Sequence, residues 1–270
     1  MPTSPTEAWR RYDPDEQRLT AHISERLLDL AHIGPGSRVL DIASGRGEPA
    51  LRAAARVAPG GHVVGTDRSD ALLDFARARA AASSLTHLHL VETAAETLAG
   101  VADHAFDAAL CRWGLMFFDR PVEALQSARR CLKPGKPLVL AVWAAPDQVA
   151  WWSMPRAVLA RHVKLSPPGD SAANPCRYAA SETLRARLAE AGFAFEHQES
   201  LYTPLMEAPT PQGLVDWAVA FGLPAELADQ PDAVRAAWHA DMLAEAARYR
   251  EPDGLYRLGG ITRLVVARAT

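Results

Sequence analysis

Cysteine is scarce in this chain. Cys111, Cys131 and Cys176 are the only three among 270 residues, odd in number and far apart. They make neither a disulfide framework nor a metal knuckle, and a reducing compartment is expected. No other His, Cys and Asp cluster has metal-ligand spacing, so metal independence is expected. Lysine is almost absent, with only Lys133, Lys136 and Lys164, and the basic residues are nearly all arginine. No apolar run reaches the ~18 to 20 residues of a membrane helix, although 49% of the residues are apolar. The start, MPTSPTEAWRRYDPDEQRL, lacks the basic region and apolar core of a secretory signal. A cytoplasmic, soluble protein with no membrane contact is therefore expected. Excess charge is missing too: the formal balance is −3, which gives no global pull toward phosphate backbones and argues against a nucleic-acid partner. Neither an internal repeat nor a low-complexity tail is present.

What the chain has is an alternation. Residues 19–32, LTAHISERLLDLAH, place Leu19, Ile23, Leu27, Leu28 and Leu30 on or near one helical face, and IGPGS stops that helix at Gly34, Pro35 and Gly36. A strand RVLDIA, a glycine turn and a helix EPALRAAARVA follow, then a strand HVVGTD, a helix SDALLDFARARAAAS and a strand THLHLVE. FDAALCR, RPVEALQSARRCL and KPLVLAVWA continue as strand, helix and strand. Such alternation predicts a parallel sheet with helices on both faces, and ligands on such sheets bind at the carboxyl ends of the strands. After residue 146 the rhythm changes. A helix DQVAWWSMPRAVLARHV, a loop, a helix SETLRARLAEAG with Ser181 as N-cap, a strand FAFEHQESLY, a mostly helical stretch over 205–258 and a closing strand ITRLVVARAT are expected.

The chemistry concentrates in VLDIASGRGEPAL, residues 39–51. A glycine turn between strand and helix brings backbone N–H groups and a helix N-terminus close to a ligand with no Cβ in the way. Alone, Gly45-x-Gly47 also fits a turn that is bare for steric reasons. Asp67 ends the second strand 20 residues later, where a carboxylate can accept hydrogen bonds from both hydroxyls of a ribose. Nicotinamide-binding sheets share that pairing. They differ in the first turn, since Asp41 inside the preceding strand would repel a pyrophosphate and suit a cation.

VLDIASGRGEPA, VVGTDRSDALLDFAR and FDAALCRWGLMFFDRPVEALQSARRCLKPGKPLVLAVW together resemble the successive motifs of the Rossmann-like (class I) S-adenosylmethionine-dependent methyltransferases. They are most similar to the branch of ubiquinone and menaquinone biosynthesis C-methyltransferases and natural-product methyltransferases. The likeness covers roughly residues 20 to 145. It implies an α/β fold with a seven-stranded, mostly parallel sheet and helical lid insertions, S-adenosyl-L-methionine as cofactor and S-adenosyl-L-homocysteine as product. It also implies that Asp41, Ala43, Ser44, Gly45 and Gly47 cradle the methionine moiety, that Asp67 holds the ribose, and that Arg68 and Leu72 neighbour ribose and adenine. In the family an acid after the third strand often bonds the adenine amino group. Thr93 stands in its place here, with Ala94 and Ala95 following, so a threonine hydroxyl or a backbone carbonyl would take that contact. Cys111, Arg112 and Trp113 fall where the family's residues flank the cofactor and open toward the acceptor.

For the acceptor, Trp9 and Tyr12 are expected in a lid, Phe117 near the cofactor, and Trp143, Trp152 and Trp217 in the cavity. Such aromatics suit an apolar or planar small molecule, and they also suit packing of helices on the sheet. Trp113, Met116 and Phe118 are divided in the same way between pocket and core. Cys111 as a nucleophile is the weaker reading beside a buried small residue. Tyr12 and His22 are the weak catalytic candidates; His162, His197 and His239 show no partner in the sequence. The expected organisation is an N-terminal helical lid over 1–34, a cofactor-binding core over 35–145, and a C-terminal completion over 146–270 with acceptor-binding insertions at 146–180 and 205–258. The expected activity is C- or O-methylation of a small, aromatic or quinone-like acceptor by a monomer or homodimer. The alternatives are a nicotinamide-dependent oxidoreductase, which would lack a Y-x-x-x-K pair here, and a cofactor-binding scaffold or cyclase without methyl transfer. The N/D-P-P-Y type motif of nucleobase methyltransferases is absent.

Overall fold

The computed structural model describes residues 5–166, 169, 174–222 and 225–270, with side chains described from Arg11 onward except at 225 and 226. Two compact units make up the chain, one of residues 22–143, 170–201 and 262–270 and the other of residues 1–21, 144–169 and 202–261. The strands are β1 (Arg38–Ile42), β2 (His62–Asp67), β3 (Leu88–Glu92), β4 (Ala108–Arg112), β5 (Pro137–Trp143), β6 (Phe193–Ala208) and β7 (Tyr256–Ala269). They form one seven-stranded sheet in the order β3-β2-β1-β4-β5-β7-β6. β1 to β5 pair in parallel and β7 runs antiparallel to β5. All seven residues of β5 are buried, which is why PLVLAVW reads as a continuous apolar run rather than an alternating one.

Helices α2 (Ala50–Val57), α3 (Asp70–Ala82), α4 (Pro121–Cys131) and α6 (Ser181–Glu190) belong to the sheet unit. On one face Ile23, Leu27 and Leu28 of the first helix and Leu51, Ala53, Ala54 and Val57 of α2 form a core with Val39, Val63, Leu110, Val139, Ala141 and Leu264. Burial of each Leu or Val there contributes about 1.5 to 3 kcal/mol. α4 buries Leu125 and Ala128, and α6 buries Leu184 and Leu188.

Three local expectations need correction. Helix α1 runs from Pro5 to Leu30 through Pro14, so the segment carrying Trp9 and Tyr12 belongs to the first helix rather than preceding it. α1 ends earlier than IGPGS suggests. His32 takes the left-handed conformation, at φ 54°, with its N–H on Asp29 O and the Ile33 N–H on Leu28 O, a Schellman closure that Ile33 and Leu28 seal in the core. Ser181 is the first residue of α6 and not its cap; Ala180 is the N-cap and makes no side-chain capping bond.

The second unit holds α5 (Ala150–Leu159), α7 (Pro211–Trp217), a π-helical turn over Ala218–Gly222, α8 (Ala225–Ala228) and α9 (Asp232–Ala246). β6 continues to Ala208, so the helical stretch expected from 205 begins at Pro211. Trp238 and Met242 of α9 are buried, and the Trp238 indole donates to Pro155 O at 3.2 Å.

Candidate cofactor site

At the carboxyl end of β1 the backbone turns left-handed three times in five residues, at Ala43, Gly45 and Gly47 (φ 58°, 53° and 100°). The two glycines serve different ends. A Cβ on Gly47 would lie 2.6 Å from Leu51 Cδ1 and 3.0 Å from Ala76 Cβ, so Gly47 lets the turn pack on its own helices. A Cβ on Gly45 would meet nothing within 4 Å, so Gly45 keeps open space on the ligand side. Asp41 Oδ2 accepts the Ala50 N–H at 2.9 Å, at the start of α2, where a carboxylate meets the positive end of the helix dipole. The other oxygen, Oδ1, is buried with no hydrogen-bond partner. Burial pushes the Asp41 carboxyl well above the usual aspartate range, and the Arg112 guanidinium only partly offsets it.

Asp67 ends β2 and ties two turns together, accepting the Gly45 N–H on Oδ2 and the Ser69 N–H on Oδ1, both at 2.9 Å. The Ser44 N–H binds Thr66 O at 2.8 Å. From the end of β3, the Thr93 N–H reaches Asp67 O at 2.9 Å. After β4, Trp113 sits at φ 54°, a conformation that costs a bulky residue about 1 to 3 kcal/mol. Its N–H bonds Ala141 O at 2.9 Å. Its ring stacks on Trp143, with centroids 4.8 Å apart and planes 4° apart, and takes the Arg112 guanidinium at 4.8 Å. Cys111 is buried, and burial pushes its thiol up to about 12, which removes it as a nucleophile at neutral pH.

These strand ends enclose a cavity of 280 Å³. Its wall takes Ala43 and Gly45 after β1, Thr66, Asp67, Arg68 and Leu72 after β2, Thr93, Ala95 and Glu96 after β3, and Trp113, Gly114, Phe117 and Phe118 after β4. Asp41, Ser44, Gly47, Cys111 and Arg112 lie behind that wall as support, and Ala94 lies outside it. Thr66, Glu96 and Gly114 escaped the sequence reading. Glu96 had a visible signal, as the first acid after Thr93-Ala94-Ala95.

Among the acceptor candidates, Trp143 is buried as the platform for Trp113. The side chain of Trp9 lies outside the described residues. In the second unit Tyr12 is 6% exposed and meets Phe221 edge-on, with centroids at 5.6 Å, and its hydroxyl has no hydrogen-bond partner among the described residues. Trp217 is 5.6 Å from Phe221 and 6.1 Å from Trp151, which touches Trp152 at 6.0 Å. His22 is exposed. The partners that the sequence did not reveal are these: His162 Nε2 lies 3.0 Å from Asp241, His197 Nε2 3.4 Å from Glu199, and His239 Nε2 3.2 Å from Gln212. Among the described residues no group of three or more His, Cys, Asp or Glu could hold a metal ion, and no helix is long and apolar enough to cross a membrane.

Residues 40–140 match the methyltransferase domain family. The nocamycin O-methyltransferase of Saccharothrix syringae is 30% identical over 231 residues, spanning 78% of each chain. The chain belongs to the class I S-adenosylmethionine-dependent methyltransferases. The demethylmenaquinone methyltransferase of Symbiobacterium thermophilum is 35% identical over 104 residues, 38% of this chain and 41% of its own length. The match thus spans less than half of that relative. Among solved structures, the [4+2]-cyclase SpnF shares the fold at 22% identity, with a TM-score of 0.61 over 94% of this chain and 82% of that one. The methyltransferase takes S-adenosylmethionine as its cofactor, and the site fits that group. Gly45 opens space at the strand end, Asp67 stands at the ribose distance from it in the chain, and Ser44 Oγ and Trp113 Nε1 are buried polar atoms without protein partners. Family membership sets aside the nicotinamide alternative.

Proposed function

We propose that the methyltransferase holds S-adenosylmethionine in the cavity at the ends of β1 to β4 and methylates a small, planar, aromatic or quinone-like acceptor on carbon or oxygen. The observation that carries the reading is the joint placement of Gly45 and Asp67 on one wall, tied by a 2.9 Å bond. Asp67 receives the ribose hydroxyls, Ala43 and Gly45 the methionine part with Ser44 behind them, and Arg68 and Leu72 border the sugar and base. Glu96 takes the adenine amino group in place of Thr93, because it stands on the cavity wall and its carboxylate has no ion pair or hydrogen bond among the described residues. Asp41 and Gly47 act through the turn, one by capping α2 and the other by letting the turn close.

When bound, the cofactor supplies a methyl on a sulfonium, and displacement at that methyl is accelerated by holding the acceptor atom in line at about 3 to 3.5 Å. The residues of this chain align and exclude water. Burial raises the Tyr12 pKa, so the hydroxyl stays protonated at neutral pH and is a hydrogen-bond donor rather than a base. The names of the two relatives, a nocamycin O-methyltransferase and a demethylmenaquinone methyltransferase, support a small-molecule acceptor. Calorimetry with S-adenosylmethionine and S-adenosylhomocysteine, followed by mass spectrometry on mixtures with naphthoquinols and phenols, tests the reading. Micromolar binding of both and a gain of one methyl on an acceptor support it. Binding without any methyl gain across those acceptors would overturn the acceptor class.

A further inference from the structure

Arg263 lies on β7 opposite Val142, one residue before the end of β5. It is therefore at the same edge of the sheet as the cofactor cavity. Only 7% of its surface is exposed, and its one side-chain hydrogen bond is from Nη1 to Ser181 Oγ, at 2.7 Å. Nε and Nη2 are buried without hydrogen-bond partners among the described residues. Ser181 begins α6, a ten-residue helix whose N-cap offers no side chain to its first-turn N–H groups. A buried guanidinium and the positive end of a helix thus meet at one point.

Among the described residues no carboxylate is bonded to them. Cys176 interacts with Arg263, but burial pushes its thiol up to about 12 despite that guanidinium. Glu182 is the charge that favours the Arg263 guanidinium most, but it is exposed and no ion pair joins the two among the described residues. Leaving a guanidinium buried and half-bonded is costly unless something else completes it.

The geometry of the unpaired edge names the ligand. Nε–H and Nη2–H point the same way and match the two oxygens of a carboxylate. Arg26 uses this same edge on Glu199, with Nε to Oε1 at 2.6 Å and Nη2 to Oε2 at 2.8 Å. The segment beside Arg263 is tied to the wall of the cofactor cavity. Phe118 lines that cavity, its carbonyl accepts Arg177 Nη1 at 2.8 Å, and Arg177 follows Cys176.

We propose that Arg263 and the first turn of α6 form a carboxylate site, and that the methyl acceptor is a small carboxylic acid anchored there. This rests on the methyl-transfer reading for the identity of the bound acid, not for the site itself.

The test is calorimetric titration of the full chain, with and without S-adenosylhomocysteine, using 2-naphthoate, its neutral twin 2-naphthamide, and inorganic phosphate. The acid should bind at least about tenfold tighter than the amide. Arg263→Met should remove that preference while the affinity for S-adenosylhomocysteine stays within about twofold, and Arg263→Lys should keep the charge and lose most of the preference, because an ammonium cannot pair side-on. Equal binding of acid and amide would overturn the site, as would an unchanged preference in either variant or phosphate binding as tightly as naphthoate. Should Arg263→Met not fold, Arg263→Lys and the acid-to-amide ratio of the unaltered chain decide. Preference for the acid in a chain that does not bind S-adenosylhomocysteine would support the site and overturn the methyl-transfer reading.

Discussion

The two edges of the central sheet each carry a cavity, and the larger one is at the edge without the chemistry. At the amino edge, His32, Gly36, Ser37, Asp107, Lys136 and Arg268 border 380 Å³, against 280 Å³ at the carboxyl edge. The amino-edge groups answer one another. Asp107 accepts the Arg38 N–H at 3.0 Å and Lys133 Nζ at 2.7 Å, Ser37 Oγ accepts the Gly34 N–H, and Arg268 pairs with Glu196 at 2.8 Å. The carboxyl edge leaves Asp41 Oδ1, Ser44 Oγ and Trp113 Nε1 buried and unmatched. Burial opposes ionisation of both aspartates. Lys133 and the Arg38 N–H prevail at Asp107 and hold its pKa below the usual range, whereas burial wins at Asp41 and raises it. A ligand site is marked by polar groups that the fold leaves unmatched at and behind its wall, not by volume.

The comparison breaks if the wrong edge binds the cofactor. Asp67→Ala removes the carboxylate assigned to the ribose and should weaken S-adenosylmethionine by about 1.5 to 3 kcal/mol, or roughly 10- to 150-fold in Kd. Asp107→Ala, at the other edge, should leave that affinity within about twofold and lower the melting temperature instead. Calorimetry on both variants decides, and equal losses would mean that the amino-edge cavity had been dismissed wrongly.

The two glycines of one turn sharpen it further. Gly47→Ala must crowd Leu51 and Ala76 at φ 100°, and a cost of about 1 to 3 kcal/mol in unfolding free energy is expected. Gly45→Ala meets open space, so its cost in stability is only that of a left-handed alanine, about 1 kcal/mol, while cofactor affinity falls because the new methyl occupies ligand space. Urea unfolding and calorimetry read the two effects separately. Loss of affinity confined to Gly47→Ala would put the ligand on the wrong side of the turn.

How legible each edge was in the sequence follows from the range of the interactions. The β1 turn, Asp67 and the Trp113 segment are written in short windows where a strand, a turn and a helix follow one another, so their order at the carboxyl edge could be read directly. Glu96 lay one residue beyond the window searched, behind two alanines. Arg263 was invisible, because ITRLVVARAT reads as an ordinary strand and only the pairing with β5 and the approach of α6 bury the guanidinium. The histidine partners were hidden for the same reason, with His162 and Asp241 79 residues apart. The early end of α1 was missed because tertiary packing of Ile33 selected His32, rather than a glycine, for the left-handed position.

The two aspartates provide the finest test of the contrast between the edges, as opposite slopes of stability against pH. Both unfold to an ordinary carboxyl with a pKa of about 3.9. For Asp41 the folded value is raised, so its contribution is fully present below that pH and is lost as pH rises toward the folded value. Asp41→Asn cannot titrate, and Asn can still accept the Ala50 N–H, so the variant should gain on the parent as pH rises from about 4. Asp107 is the reverse. Its folded value is depressed, so its contribution is present above about pH 4 and disappears as pH falls through the folded value; Asp107→Asn should lose ground to the parent as pH rises through that range. Urea unfolding of cofactor-free protein between pH 3 and 8 measures both differences. Slopes of the same sign would show that the carboxyl edge is as well neutralised as the amino edge, and that the open oxygen on Asp41 is answered in solution by a group of the protein rather than left for the ligand.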